Sequence, residues 1–340
     1  MQEGGDNIAI ILVYDWHKTM LVPLQTILGS RGHSTELLRL EDVRAGRRPV
    51  RVPDLLITAD AGAARYLNET FPGIPLLHVG HGLISKNQPG LHYGLVDYIC
   101  VAGEETAARL TARGHTPRRR FFATGLIQSD PLFRGDAEPV RIAGCATNVV
   151  YAPTWNPALS SAAMLGPRLV ENIRGADTGI GIGIKPHPHI AVAQPELIDL
   201  WAQLAAGHPN VVLHDHDDDL MPILLGADLL VSDVSSAVFH FLALDRPIVL
   251  VDNPDRIAHP QAYDPDGIEW TWRDIGRRVD SAEALADAVL AELADPEVRR
   301  PVRLARKAQL FGTLTDGRAR DRVADAVDEI LAFERRCGTG

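Results

Sequence analysis

Two histidines, two lysines and a pair of adjacent serines are the residues of this chain best suited to chemistry on a phosphorylated substrate. His81 and Lys86 lie in "HGLISKN", Lys185 and His187 in "KPHP", and Ser235 and Ser236 in "SDVSS", which also holds Asp233. An imidazole titrates near neutral pH and can act as base or acid. An ammonium is a compact charge suited to a phosphate, and serines opening a helix join their hydroxyls to its free amides as an anion site. Each motif has a plainer reading. A histidine after a strand often only satisfies a hydrogen bond, and "DVSS" serves equally as a helix cap. Lysine usage favours the sharper reading: the chain has only Lys18, Lys86, Lys185 and Lys307, and two of the four fall in these clusters while arginine serves nearly everywhere else.

The elements that must position these residues are short apolar runs bounded by turn residues, the pattern of strands buried on both faces. Strands are predicted at 8–14, 54–59, 75–80, 96–103 and 120–125, with helices from 19 to Gly29 or Gly32, over 61–70 and over 104–113 between them. After a stretch at 131–146 that reads as a linker, strands follow at 148–153, 180–185, 210–215, 228–233 and 247–252. Helices are predicted near 161–174, 194–206, 218–226 and 235–244, then at 281–294, 297–310 and 317–334. Alternation of this kind gives parallel, doubly wound sheets, whose ligands gather beyond the carboxyl ends of the strands. His81, Thr154, Lys185, His187 and the serines all follow such ends. So do Asp15, Trp16 and His17 in "YDWHK", which are candidates for holding an acceptor. The fold class expected is α/β: two Rossmann-like lobes in the GT-B arrangement with a helical tail. The lobes would span 1–135 and 136–315, with a helix in 316–340 packing back across them.

Bulk properties narrow the function. The 340 residues are 46% hydrophobic and 23% charged, as in a globular enzyme of two domains. A net charge of −10 argues against nucleic-acid partners and a broad grip on anionic membranes. The basic "RRR" at 118–120 is the local exception. Cys100, Cys145 and Cys337 fit neither a disulfide framework nor metal spacing. The first residues carry no basic leader and no apolar run long enough to span a bilayer. The expectation is a cytoplasmic protein with at most peripheral contact with the inner face of the cell membrane.

Smaller features raise questions of their own. "IGIGIK" places glycine at alternate positions of a strand, which thins one face. Either a nucleotide or a neighbouring helix is expected to lie against that face. "HDHDDD" at 214–219 alternates His and Asp in the manner of a cation site, and reads more simply as a solvated loop. Arg318, in "DGRARDR", reads equally as a binding residue or a surface helix charge.

In order along the chain, "HGLISK", "YAPTW", "KPHP", "SDVSSAVFHFLALDRPIVLVD" and "GTLTDGRARDRVADAV" resemble the motifs of CDP-glycerol glycerophosphotransferases, the teichoic-acid primases and polymerases of bacteria. "GLIQSDPLF" is similar to the family's inter-lobe segment, with Gln128 and Ser129 where a basic residue is usual. The resemblance implies transfer of glycerol phosphate from CDP-glycerol to an acceptor hydroxyl with release of CMP, in cell-wall or other surface-polymer synthesis. It implies His81 as the base and His187 as the residue that meets the diphosphate. Lys185, Thr154, Asp233, Ser235, Ser236 and Lys86 would bind the donor. The scheme needs no cofactor and no metal. The acceptor is a hydroxyl compound, lipid-linked in the family; here the absence of a basic docking helix leaves a soluble acceptor open. His240 stands where the family commonly has an acid, which opens the donor to question. Two other readings remain: a GT-B glycosyltransferase using a nucleotide sugar such as CMP-Kdo or CMP-sialic acid, and a non-catalytic nucleotide-binding homologue.

Overall fold

The computed structural model describes residues 5–80 and 93–338, which fall into two compact units. One is built from 5–80, 93–130 and 309–338, the other from 131–308. His81 and Lys86 lie outside the described residues.

The first unit holds six parallel strands: β1 (Asn7–Leu12), β2 (Ser34–Arg39), β3 (Leu55–Thr58), β4 (Leu76–His78), β5 (Tyr98–Val101) and β6 (Arg120–Ala123). Their order is β2-β1-β3-β4-β5-β6. β1 sits inside the sheet, paired on both edges, so its "IAIIL" is buried on both faces as the apolar run requires. β2, "STELLR", was absent from the sequence reading. It is an edge strand of mixed polarity, and a strand solvated on one side leaves no continuous apolar run.

The helix Ala319–Gly338 belongs to this unit. Val323, Val327, Ile330 and Leu331 enter the core beside Ile8, Ile10 and Leu24. Asp130, 1% exposed, receives the amides of Ala319 (2.8 Å) and Arg320 (3.0 Å) and so caps that helix from a distance. Gly125 (φ 85°) lets the two motifs meet, since a Cβ there would stand 3.1 Å from that of Ala319. The "RRR" cluster is locally neutralised: Arg118 faces Asp97, Arg119 faces Glu334 and Arg120 faces Glu329.

The second unit holds β7 (Thr147–Tyr151), β8 (Ile180–Ile184), β9 (Val211–Leu213), β10 (Leu229–Ser232), β11 (Ile248–Val251) and β12 (Arg277–Val279). The order β12-β11-β10-β7-β8-β9 is again all parallel, and it reverses between β7 and β10. That reversal is the position where doubly wound sheets open a ligand crevice. β12 also escaped the sequence reading, because "RRV" is short and two of its three side chains are arginines.

The helices expected over 161–174 and 235–244 are interrupted. Gly166 (φ 48°) and Pro167 break 161–174 into Ala162–Leu165, a tight turn at Gly166–Arg168, and Leu169–Arg174. The helix expected over 235–244 is Ala237–Phe241, continued by a 3-10 turn at Leu242–Leu244. The linker at 131–146 is held down as it runs. Val140 donates to the Pro222 carbonyl, and Arg141 pairs with Asp228 at 2.9 Å.

The glycines of β8 face protein. A Cβ on Gly181 would stand 3.0 Å from the Cβ of Cys145 and 3.1 Å from that of Ile142. One on Gly183 would stand 3.0 Å from His214 Nε2. The thinned face therefore admits the 142–145 segment and an imidazole. The expectation that a nucleotide or a helix lies there is corrected.

Candidate functional site

At the switch point of the second sheet, the loops after β7 and β10 are tied together by one carboxylate. Asp233, 1% exposed, accepts from the amide of Thr154 (2.8 Å) and from its neighbour Val234 (2.6 Å) with Oδ1. Its Oδ2 accepts from the amide and the hydroxyl of Ser161, both at 2.9 Å. Burial pushes the Asp233 carboxyl up, while these donors pull it back. Ser232 Oγ adds a bond to the Ala152 carbonyl (2.6 Å), and Asn253 Nδ2 reaches the Ser160 carbonyl (3.0 Å). The clamp brings Thr154 and the Asp233–Ser236 turn into one constellation. Asp233 sits there with its oxygens occupied, as the residue that sets the loops.

Ser235 is buried and Ser236 half-buried, at the entrance to Ala237–Phe241. Ser235 Oγ lies 3.4 Å from the Ala237 amide as its acceptor, and Ser236 makes no side-chain cap bond. His240, one turn further on, is 1% exposed.

The end of β8 is organised around a buried cation. Lys185 Nζ donates to the carbonyls of Pro186 (3.0 Å) and His216 (2.8 Å), so it fastens the acidic 214–219 loop to the strand end. Burial pushes its pKa down to about 8, against the pull of Asp218, Asp215, Asp217 and Asp219. In that loop Asp215, His216 and Asp217 bring ligand atoms within 4.8 Å of one another, and His216 pairs with both carboxylates. Burial also lowers the pKa of His214, which fills the space left by Gly183.

His187 follows as the cap of the helix Pro188–Ala193. Its Nδ1 accepts the His189 amide at 3.2 Å, so in the neutral ring the proton sits on Nε2, the nitrogen able to donate. The His187 and His189 rings stack at 5.2 Å, and Trp155 meets His189 edge-on at 5.5 Å. Trp155 comes from the loop after β7, where Gln194 Nε2 holds its carbonyl at 2.8 Å.

In the first unit, Asp15, Trp16 and His17 form a short turn after β1, but they face different surroundings. Asp15 pairs with Lys18 at 3.1 Å and with Arg39. Trp16 stacks parallel to Tyr14 at 5.8 Å, while His17 is fully buried with its ring 4.1 Å from Trp16. Arg318 is 67% exposed and paired with Asp321, as a surface helix charge would be.

Sequence reasoning missed the partners that complete the clamp: Ser161, Asn253, Asp252 and Arg273. Arg273 donates to the Asp233 carbonyl and to Asp252, and Arg278 pairs with Asp252 at 2.7 Å. A signal was present, since "LLVSD" and "VLVD" both place an aspartate directly after a strand.

The family profile described as "CDP-Glycerol:Poly(glycerophosphate) glycerophosphotransferase" matches residues 53–329. No curated protein matches the sequence. Among solved structures, the wall teichoic acid polymerase TagF is similar in fold, with TM-score 0.67 at 15% identity over 97% of this chain and 90% of that one. A TagF variant soaked with CDPG gives 0.67 at 14% identity, over 96% and 89%. A UDP-GlcNAc 2-epimerase from Neisseria meningitidis, bound to UDP-GlcNAc, gives 0.63 at 10% identity, over 95% and 100%. Among the described residues no helix is long and apolar enough to cross a membrane.

Proposed function

Because the chain belongs to the CDP-glycerol:poly(glycerophosphate) glycerophosphotransferase family, we propose that it moves glycerol phosphate, or a related alditol phosphate, from a CDP-activated donor to an acceptor hydroxyl and releases CMP. The observation that carries this reading is the clamp at the switch point. Thr154 and the Asp233–Ser236 turn, drawn from two of the family-like motifs, are fixed together by Asp233 where such sheets take nucleotides.

In this scheme the acceptor oxygen attacks the alditol phosphorus as His81 takes its proton. The bond from that phosphorus to the bridging oxygen breaks, and the electron pair leaves with CMP. His187, donating from Nε2, meets the negative charge that gathers on the diphosphate, and Ser235 and Ser236 add hydroxyl and amide donors. Lys86 is assigned to the donor on its motif alone. Lys185 acts by holding the strand end, and Asp15, Trp16 and His17 are the candidate acceptor side. The scheme calls for no metal, since imidazole and a helix entrance supply the positive potential.

The test is incubation with CDP-glycerol, CDP-ribitol and CMP-sugars while CMP release is followed and the product is weighed by mass spectrometry. An acceptor that gains a sugar without phosphorus ends this reading in favour of nucleotide-sugar transfer. Tight nucleotide binding with no turnover on any donor points to a non-catalytic homologue. His81→Ala is expected to lower turnover by about two to four orders of magnitude with donor affinity little changed. Near-native turnover would remove His81 from the base role.

A further inference from the structure

Resting on the donor site proposed above, the inference concerns what holds the serine turn from the side away from Thr154. Asp233 is gripped twice. Its carboxylate faces the loop after β7, and its backbone carbonyl accepts from Arg273 Nη1. The same guanidinium donates through Nη2 to Asp252 Oδ1. The other oxygen of Asp252 takes Arg278 Nε at 3.1 Å and Nη2 at 2.7 Å. Arg273 is 5% exposed and Asp252 2%, so the pair lies inside the unit at the carboxyl ends of β10 and β11.

A fold that needed only to fill this space would do better with an apolar side chain, because desolvating an ion pair offsets most of its attraction. Arg273 does what an apolar side chain cannot: it fixes a carbonyl two residues before Ser235. Its Nε is buried with no hydrogen-bond partner among the described residues, so the guanidinium is committed through its two terminal nitrogens. A cavity of about 10 Å³ lies beside it, lined mostly by apolar side chains such as Phe239 and Trp272, with Asp233, Ser235, Glu269 and Arg273 among them.

We propose that Arg273 is a positioning residue for the donor: anchored on Asp252, it fixes the Asp233 carbonyl and so sets the direction in which Ser235 and Ser236 present their donors. It does not touch the nucleotide. Its effect passes through the turn, and that distinguishes it from a residue that only stabilises the fold.

The experiment is a double-mutant cycle read by calorimetry with CDP-glycerol, comparing the parent, Arg273→Met, Ser235→Ala with Ser236→Ala, and all three changes together. Arg273→Met is expected to raise the donor Kd by about ten- to a hundredfold, the scale of a misplaced binding group. In that background the serine changes should add less than about threefold, because the turn they depend on is already lost. A folded Arg273→Met protein with unchanged Kd overturns the proposal, and so does a cycle in which the two effects multiply in full. If Arg273→Met fails to fold, Asp252→Asn keeps the shape while weakening the anchor. It should raise Kd severalfold with the same non-additivity, and an unchanged Kd or a fully multiplicative cycle overturns the proposal there too. Should the parent protein not bind CDP-glycerol, the donor reading falls and the inference with it. Binding by the parent that is retained in Arg273→Met removes the inference alone.

Discussion

Two loops of the second sheet bury opposite charges by mirrored means. After β10, the Asp233 carboxylate is surrounded by the amides of Thr154, Ser161 and Val234 and by one hydroxyl. After β8, the Lys185 ammonium is surrounded by the carbonyls of Pro186 and His216. In both places the ionised group is held chiefly by backbone, and other polar groups follow it in the chain: the Ser235 and Ser236 hydroxyls after β10, the His187 imidazole after β8. A motif residue with a formal charge at a strand end is easily taken for the ligand contact. Here the charge holds the loop, and the proposed scheme gives the substrate contact to a neighbour two or three positions along. The two also differ. Asp233 joins two loops across the switch point, whereas Lys185 fastens a loop to the end of the neighbouring strand.

Removing the anion should therefore do the most damage. Asp233→Ala strands the amides of Thr154, Ser161 and Val234, and is expected to lower unfolding free energy by about 3 kcal/mol or more, since each buried amide left without its acceptor costs about 1–3 kcal/mol. Denaturant titration measures it, and donor binding should disappear with it. Asp233→Asn keeps one acceptor oxygen and should cost less. If Asp233→Ala proves as stable as the parent and still binds CDP-glycerol, the two loops are held by something else.

How much of this could be read from the sequence follows from what kind of contact each feature depends on. β1, β3, β7 and β10 are legible because a strand buried on both faces must be a continuous apolar run. β2 and β12 are edge strands with polar side chains, and their assignment depends on partners distant in the chain. The placement of Thr154, Lys185, His187, Asp233 and the serines at strand ends was legible for the same reason. What each one does there was not, because it depends on pairings such as Asp233 with Ser161 or Arg273 with Asp252, which no local spacing announces. The glycines of β8 show the same divide: the thinning is plain in "IGIGI", but Cys145 and His214 reach it only through the fold.

That thinned strand offers an intermediate test, since β8 must run in close contact to deliver Lys185 and His187. Gly183→Ala places a methyl 3.0 Å from His214 Nε2, closer than a relaxed contact allows. The imidazole must shift or the strand must bow, at a cost of about 1–3 kcal/mol. Thermal melting should show the loss. His214→Ala combined with Gly183→Ala should recover part of it, because the clash is gone. A double variant no more stable than Gly183→Ala alone would mean that the strand itself, and not the imidazole, resists the methyl.

The smallest effect at neutral pH belongs to the cation, and its pH dependence separates it from the anion. Burial holds Lys185 down to about 8 against an ordinary 10.5, so between these values the unfolded chain binds the proton that the folded chain has released. Stability accordingly rises with pH across that window. Asp233 has the opposite sign. Burial raises its folded pKa above the ordinary carboxylate value, so its contribution falls as pH rises through that acid window. Lys185→Met removes the desolvated charge but leaves two carbonyls without their donor, and the terms offset to within about 1 kcal/mol at pH 7. Melting curves of parent and variant between pH 7.5 and 10.5 read the difference directly, because every other titrating group is common to both. The parent should gain stability relative to Lys185→Met as pH rises through the window. A constant gap between the two curves would mean that the lysine titrates as an exposed one does, and that the 214–219 loop is not held to the end of β8 by a buried ammonium at all.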